Sequence, residues 1–216
     1  MDEPVIKLTR KLDPIEIRIL GSLLEKQQST PEYYPLTLNA LIAACNQKTN
    51  RDPVMDLPEG DVAIALDRLQ HEGLVWKVMG GRAPRWEHNL DKKWGLDGPS
   101  RAIMTLLLLR GSQTIGELRA RSDRLHPFGS MEEVDQQLRK LAAEEEPLVV
   151  GLPRRAGQKE SRWMHLVGND AMVLGPSEPY ATTYAIEPIA FRLERLEAEV
   201  GALREEIRQL RERLGE

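Results

Sequence analysis

Apolar residues in the first part of the chain recur at helical spacing. Asp13 followed by Pro14 marks a helix start, because an N-cap Asp accepts from free backbone N–H groups and Pro lacks only an N–H that the first turn leaves unpaired. From there Ile15, Ile19, Leu20, Leu23 and Leu24 share one face, which predicts a first helix ending near Gln27. After a turn at Ser29, Thr30 and Pro31, Thr37 caps a second, short helix with Leu38, Leu41, Ile42 and Cys45 on its apolar side. A polar loop, 46–56, follows. A third helix opens at Pro58 and Glu59, turns Val62, Leu66 and Leu69 inward and stops at Gly73. The pattern then switches to two β-rich runs, 74–79 and 84–89, joined by Gly80 and Gly81 as a hairpin turn. Three helices and a hairpin in this order predict a winged helix.

The same order returns downstream. Ala102, Leu106 and Leu109 lie on a first helix, Thr114 caps a second that carries Ile115 and Leu118, and Val134, Leu138 and Leu141 form the face of a third. A second hairpin follows, with strands over 148–152 and 162–167 and a polar tip, 153–161. Leu66-Asp67-Arg68-Leu69 aligns with Leu138-Arg139-Lys140-Leu141, each just before a β run. The predicted fold class is therefore mainly α with small β-hairpin wings (α+β): one winged-helix domain over 1–92, a second over 98–168, a Pro/Gly/Ser/Thr-rich linker over 169–186 and a C-terminal heptad helix over 187–216.

In that last segment Ile189, Leu193, Leu196, Val200, Leu203, Ile207, Leu210 and Leu214 are spaced alternately four and three apart. With Leu193, Val200, Ile207 and Leu214 at a, and Leu at most d positions, the β-branched central a residues favour a parallel coiled-coil dimer with a second copy of the chain. A g residue of a parallel pair meets the e residue five places on in its partner: Arg192 meets Glu197, Glu199 meets Arg204, and Glu206 meets Arg211. All three pairs attract, each contributing about 0.3 to 0.5 kcal/mol, so they choose orientation more than they bind. The competing arrangement folds this helix back on its own body.

Composition narrows the function classes. The 216 residues are 41% hydrophobic and 30% charged, with four Trp, four Tyr and two Phe, a balance suited to helix-rich aliphatic cores. A net charge of -4 gives no global attraction to nucleic acid, so DNA contact would be local. A single cysteine, Cys45, permits neither an intramolecular disulfide nor a cysteine-rich zinc site. The first thirteen residues lack the apolar run of a signal peptide and no stretch reaches membrane-spanning length, so the expected location is the cytoplasm, with no membrane partner.

Several runs go beyond pattern. The first unit contains Leu23-Leu24-Glu25-Lys26-Gln27, Tyr34-Pro35-Leu36, Cys45-Asn46-Gln47-Lys48-Thr49-Asn50-Arg51 and Pro53-Val54-Met55. The second carries Gln113-Thr114, Gly116-Glu117-Leu118-Arg119, Glu160-Ser161-Arg162 and Met164-His165-Leu166. Over about Leu12 to Leu166 the chain closely resembles the bacterial YceH family, tandem winged-helix proteins of unassigned function. The resemblance implies fold and cytosolic location and carries over no site residues.

Candidate chemistry is sparse. There is no Gly-rich phosphate loop, nucleophile turn or paired-His motif, so the expectation is no enzyme, no metal and no cofactor. His71, His88, His126 and His165 stand singly and read as surface or hydrogen-bonded histidines; Cys45, on an apolar stripe, reads as a buried thiol. For DNA, candidate phosphate contacts are Lys77, Arg82 and Arg85 on the first wing and Arg154, Arg155, Lys159 and Arg162 on the second. Arg119, Arg121 and Arg124 extend the second patch, and Lys48 and Arg51 lie in the loop before the first unit's third helix. That loop admits two readings, contact with phosphate or a small ligand, or bonding of its own long backbone, and the turn formers Thr49 and Asn50 favour the second.

The third helices point elsewhere. The free face of the first offers Ala63, Ile64, Asp67 and His71, where a base reader would place Arg, Asn, Gln or Ser; that of the second offers Asp135 and Gln136 beside Glu132 and Glu133, so one reader of adenine sits among charges that repel phosphate. The expected function is a dimeric, transcription-regulator-type protein binding double-stranded DNA through basic wings, which fold analogy favours; the alternative is a protein-interaction adaptor in the manner of the tandem winged-helix subunits of bacterial condensin, which the third helices favour.

Overall fold

In a computed structural model of the chain, which describes residues 8–79, 83–154 and 160–168, Asp13 does start the first helix. Its Oδ1 accepts from the backbone N–H groups of Ile15 and Glu16, both at 2.9 Å, while the Glu16 carboxylate accepts from Asp13 N–H at 2.8 Å. This reciprocal box satisfies donors that an uncapped first turn would leave bare. The helix, α1 (Pro14–Ser29), runs two residues past the expected end and passes through a 3-10 turn, Pro31–Tyr33, into a two-residue strand, β1 (Leu36–Thr37). Thr37 then caps α2 (Leu38–Cys45), and after a long loop comes α3 (Glu59–His71), which buries Val62, Ala65, Leu66 and Leu69.

Strands β2 (Val75–Val78) and β3 (Arg85–His88) pair antiparallel with Val75 opposite His88, and β1 adds to β3 with Leu36 opposite Trp86, giving the order β1-β3-β2. Both strands are shorter than their β-rich runs, although Asn89 N–H still bonds Leu74 C=O at 2.8 Å beyond their ends. A short helix, α4 (Leu90–Lys93), leads to α5 (Gly98–Arg110), capped by Asp97. Then follow α6 (Ile115–Ser122), capped by Thr114 with Glu117 completing a box, and α7 (Met131–Ala142), capped by Ser130. Finally β4 (Val149–Gly151) pairs antiparallel with β5 (Trp163–His165). The described residues are mainly helical, with seven α-helices and small antiparallel sheets.

The two halves repeat in detail. Gln113, just before capping Thr114, bridges Trp163 as Leu36, just before capping Thr37, pairs with Trp86. Arg85 donates to Pro35 C=O at 2.7 Å, and Arg162 donates to Ser112 C=O at 2.6 Å. Arg68 on α3 reaches the α1 cap Asp13 at 3.3 Å, and Lys140 on α7 reaches the α5 cap Asp97 at 2.7 Å. Each hairpin is thus tied to the turn before its second helix, and each third helix to the start of its first.

One apolar cluster runs through both halves, from Leu12 to Val167. Its centre is the packing of α1 on α5, close enough that a Cβ on Gly21 would lie 2.8 Å from Leu109 Cδ2 and 3.1 Å from Leu108 Cβ. Polar bonds reinforce the seam: Gln28 Nε2 donates to Thr105 Oγ1 at 2.9 Å, Asp52 N–H to Leu109 C=O at 2.9 Å, and Leu12 N–H to Val167 C=O at 2.9 Å. All of this lies in one compact unit, Met1–Pro176. Among the described residues no helix is long and apolar enough to cross a membrane. The Gly80-Gly81 turn, the linker 169–186 and the heptad helix 187–216, with its dimerisation seam from Ile189 to Leu214, lie outside the described residues.

Candidate functional site

The loop between α2 and α3 has a buried frame. The Asn46 side chain clamps Leu57, donating to its C=O at 3.0 Å and accepting from its N–H at 2.8 Å. Arg51 is a correction to the phosphate-contact expectation: its side chain is fully buried, Nη2 meets Glu25 at 2.6 Å, and Nε and Nη2 donate to Ala44 C=O at 3.1 and 2.9 Å. A guanidinium bound on all sides to α1 and α2 has no donor left for an outside ligand. Arg18, on the apolar face of α1, similarly donates to Cys45 C=O at 3.1 Å and Pro53 C=O at 2.5 Å. The structural reading of this loop therefore holds for Asn46 and Arg51, while Lys48 is exposed. Cys45 is buried, and burial pushes its thiol up to about 11.

The hairpin cations divide. Arg85 and Arg162 hold the turns described above, and Arg162 also meets Glu117 at 3.1 Å. Arg121 donates to Gln113 Oε1 at 2.7 Å and lies 3.6 Å from Glu117. Partial burial would raise the Glu117 carboxyl, but the Thr114 backbone N–H and the Arg162 and Arg121 charges bring it below its ordinary value. Arg119 donates to Gly129 C=O at 3.2 Å, and Arg124 falls just past the end of α6. Lys77 is exposed, with Nζ 5.6 Å from the Trp86 ring centroid, a cation–π contact; Arg154 is exposed as well. Arg82, Arg155 and Lys159 lie outside the described residues.

The third helices present the faces their phase predicts. Ile64 is 55% exposed in the middle of α3, with Asp67 and His71 exposed on the turns that follow. On α7, Met131 is 54% exposed next to exposed Glu132, Glu133 and Gln136. The basic residues at the ends of these helices are paired internally, Arg68 with Asp13, Lys140 with Asp97 and Arg139 with Asp135 at 2.7 Å. Beside His71 and Gln136, what remains outward is acidic and apolar.

The histidines also sort by environment. His71 Nδ1 lies 2.7 Å from Asp67 C=O on the surface, and His126 packs edge-on against Phe128. His88 is buried between Gln27, 2.7 Å from Nε2, and Leu90 N–H, which donates to Nδ1 at 3.2 Å; burial, then the Arg101 charge, lowers it to about 4. His165 occupies the equivalent place in the second hairpin and is lowered to about 4 by burial first, with Nδ1 finding no hydrogen-bond partner among the described residues.

Sequence comparison finds relatives over most of the chain. A UPF0502 protein of Burkholderia ambifaria is 45% identical over 212 residues, covering 97% of this chain and 89% of its own. A UPF0502 protein of Pseudomonas aeruginosa is 55% identical over 160 residues, 74% of this chain and 72% of its own. One from Burkholderia multivorans is 43% identical over 227 residues, 99% and 94% of the two chains. Residues 12–158, which span both halves of the described body, match the family described as "Protein of unknown function, DUF480", and the chain belongs to that family.

Proposed function

We propose that the body is a pair of winged-helix units in tandem and that it is a binding module rather than an enzyme, with the outward faces of α3 and α7 meeting a protein. Support for the winged-helix reading is the twofold recurrence of helix, short strand or bridge, helix, helix and hairpin, with matching tethers at Arg85 and Arg162. The observation that carries the protein-partner reading is Ile64, a large aliphatic side chain 55% exposed where a DNA reader needs a hydrogen-bonding group. Exposed aliphatics suit the desolvated centre of a protein interface, and the carboxylates around them repel phosphate. The complementary partner presents an apolar pocket rimmed by Lys or Arg. In this reading the module is cytoplasmic and works as a parallel dimer through the heptad tail.

DNA binding is the second reading, favoured by exposed Lys48, Lys77 and Arg154 and by the basic residues that the sequence places at both hairpin tips. One experiment separates the two. A photo-crosslinking amino acid at Ile64 of the full chain, activated in cells, is expected to give a discrete protein adduct that the same group at exposed Glu32 does not give. Lack of any Ile64-specific protein adduct, together with steeply salt-dependent binding to duplex DNA that Arg154→Glu weakens, would replace the first reading with the second.

A further inference from the structure

We propose that the cleft between the segment 8–11 and the turn 145–148 is the seat of the chain's own apolar run Ala171-Met172-Val173-Leu174, which pins the root of the tail to the body. The cleft has a volume of about 540 Å³ and is lined by those two segments and by Leu166 and Val167. Residues 166 and 167 lie between its two sides, because Leu166 N–H bonds Leu148 C=O at 2.8 Å and Leu12 N–H bonds Val167 C=O at 2.9 Å. The basic groups of the lining are engaged within the body. Arg10 meets Glu16 at 2.6 Å and Glu72 at 3.3 Å, and Lys11 Nζ donates to Leu166 C=O at 2.7 Å. What the cleft offers an occupant is therefore chiefly the apolar surface of Leu8, Pro147, Leu148, Leu166 and Val167.

The place where the chain leaves the described body selects the occupant. Gly168, next to Val167 of the cleft, is bridged in parallel to Leu12 and packed so closely that a Cβ there would lie 3.0 Å from Ile17 Cδ1. The exit point is thus fixed. In a parallel pairing the chain heads past Leu12, away from 8–11, but Gly168-Asn169-Asp170 are three turn formers in a row, suited to reversing it. The next four residues are all apolar and Gly175-Pro176 ends the run, the one stretch of four consecutive apolar residues in 169–186. Four extended residues span about 13 Å, which brings the run back along 166–167. So short a tether holds it near the cleft at an effective concentration on the order of millimolar, ahead of a free peptide of the same chemistry. Seating the run leaves only residues 175–186 as the tether to the heptad helix. The cleft is separate from the α3 and α7 faces, so the inference stands whether or not those meet a protein.

The test is disulfide trapping in the full chain, whose natural cysteine, Cys45, is buried. Pro147→Cys combined with Met172→Cys is expected to form an intramolecular disulfide under mild diamide oxidation about tenfold faster or more than Pro147→Cys combined with Ser177→Cys, five residues farther along the same tether. Equal rates at 172 and 177 would mean that the run is not seated. A faster bond to Val5→Cys would give the cleft to the residues before Leu8, and a bond between two chains would give it to a second copy; each of these overturns the proposal. Hydrogen exchange of the parent chain, read by mass spectrometry, checks it without new cysteines. The amides of 171–174 are expected to exchange about tenfold slower or more than those of 177–185, and Met172→Asp with Leu174→Asp is expected to remove that difference and speed exchange over 145–148. Exchange in the parent as fast at 171–174 as at 177–185 overturns it as well.

Discussion

At the scale of single residues, Arg51 and Lys48 show how position decides the meaning of a charge. Three residues apart in one loop, one is sealed against Glu25 and Ala44 and the other faces water. Arg51→Ala leaves Glu25 without its main partner and the Ala44 and Asn50 carbonyls without their Arg51 donors, and is expected to lower stability by on the order of 3 kcal/mol, as for other broken buried pairs. Lys48→Ala should stay within about 0.5 kcal/mol. Urea denaturation of the two variants checks both, and equal midpoints would contradict the buried frame. His88 carries a pH dependence of definite sign. Its folded value near 4 lies below the ordinary 6.5, so the unfolded chain binds the proton first. The stabilisation is complete above pH 6.5 and is lost as pH falls through about 4, amounting to on the order of 3 kcal/mol at about 1.4 kcal/mol per pKa unit. His88→Asn, which cannot titrate here, is expected to flatten stability against pH between these limits by about one proton; a slope equal to that of the parent would argue against a neutral buried imidazole. His165 adds a second contribution of the same sign.

At the scale of elements, the central contact is α1 against α5, and its closeness rests on Gly21. An added methyl would fall 2.8 Å from Leu109 and 3.1 Å from Leu108, forcing side chains or helices apart. Gly21→Ala would otherwise favour the helix, by about 1 kcal/mol; here overpacking is expected to win, for a net loss of about 1 to 2 kcal/mol, measured as a lowered denaturation midpoint. A raised midpoint would mean that Leu109 moves aside freely. This contact was not legible in the sequence, where Gly21 reads only as a weak helix residue. The helices themselves were legible because their signals are local: Asp13, Thr37 and Thr114 each precede a periodic run and each caps it. The phase of α3 was legible too, since three core positions fix the rest of a helix's surface and leave Ile64 outside. By contrast β1 is two residues long and α4 is four, too short to show a period. The roles of Arg18 and Arg51 escaped for a different reason. Each depends on carbonyls or charges brought near by distant segments, and no spacing along the chain encodes them.

At the scale of the whole molecule, the question is how many copies of the α3 and α7 faces one particle presents. We propose that the seam from Ile189 to Leu214 pairs in parallel, because in the sequence β-branched Val200 and Ile207 fall at central a positions, Leu196, Leu203 and Leu210 at d, and all three g–e pairs attract. A coiled coil of roughly four heptads gains its stability from the buried seam, so replacing Leu196, Leu203 and Ile207 together by Ser removes apolar area worth about 1.5 kcal/mol or more per side chain, beyond what the remaining pairs supply. Light scattering is expected to give twice the chain mass for the parent and one chain mass for this variant, while thermal unfolding of the body stays unchanged because its own core lies between Leu12 and Val167. A parent of single-chain mass would instead favour a helix folded on its own body. If the dimer forms, two copies of each face are joined through one tail, and a partner with repeated sites gains avidity from effective concentration without any new contact. The monomeric variant should then keep its intrinsic affinity for an isolated partner site, yet release a multivalent partner about tenfold to a hundredfold faster, a difference that surface-immobilised partner at high and low density would resolve.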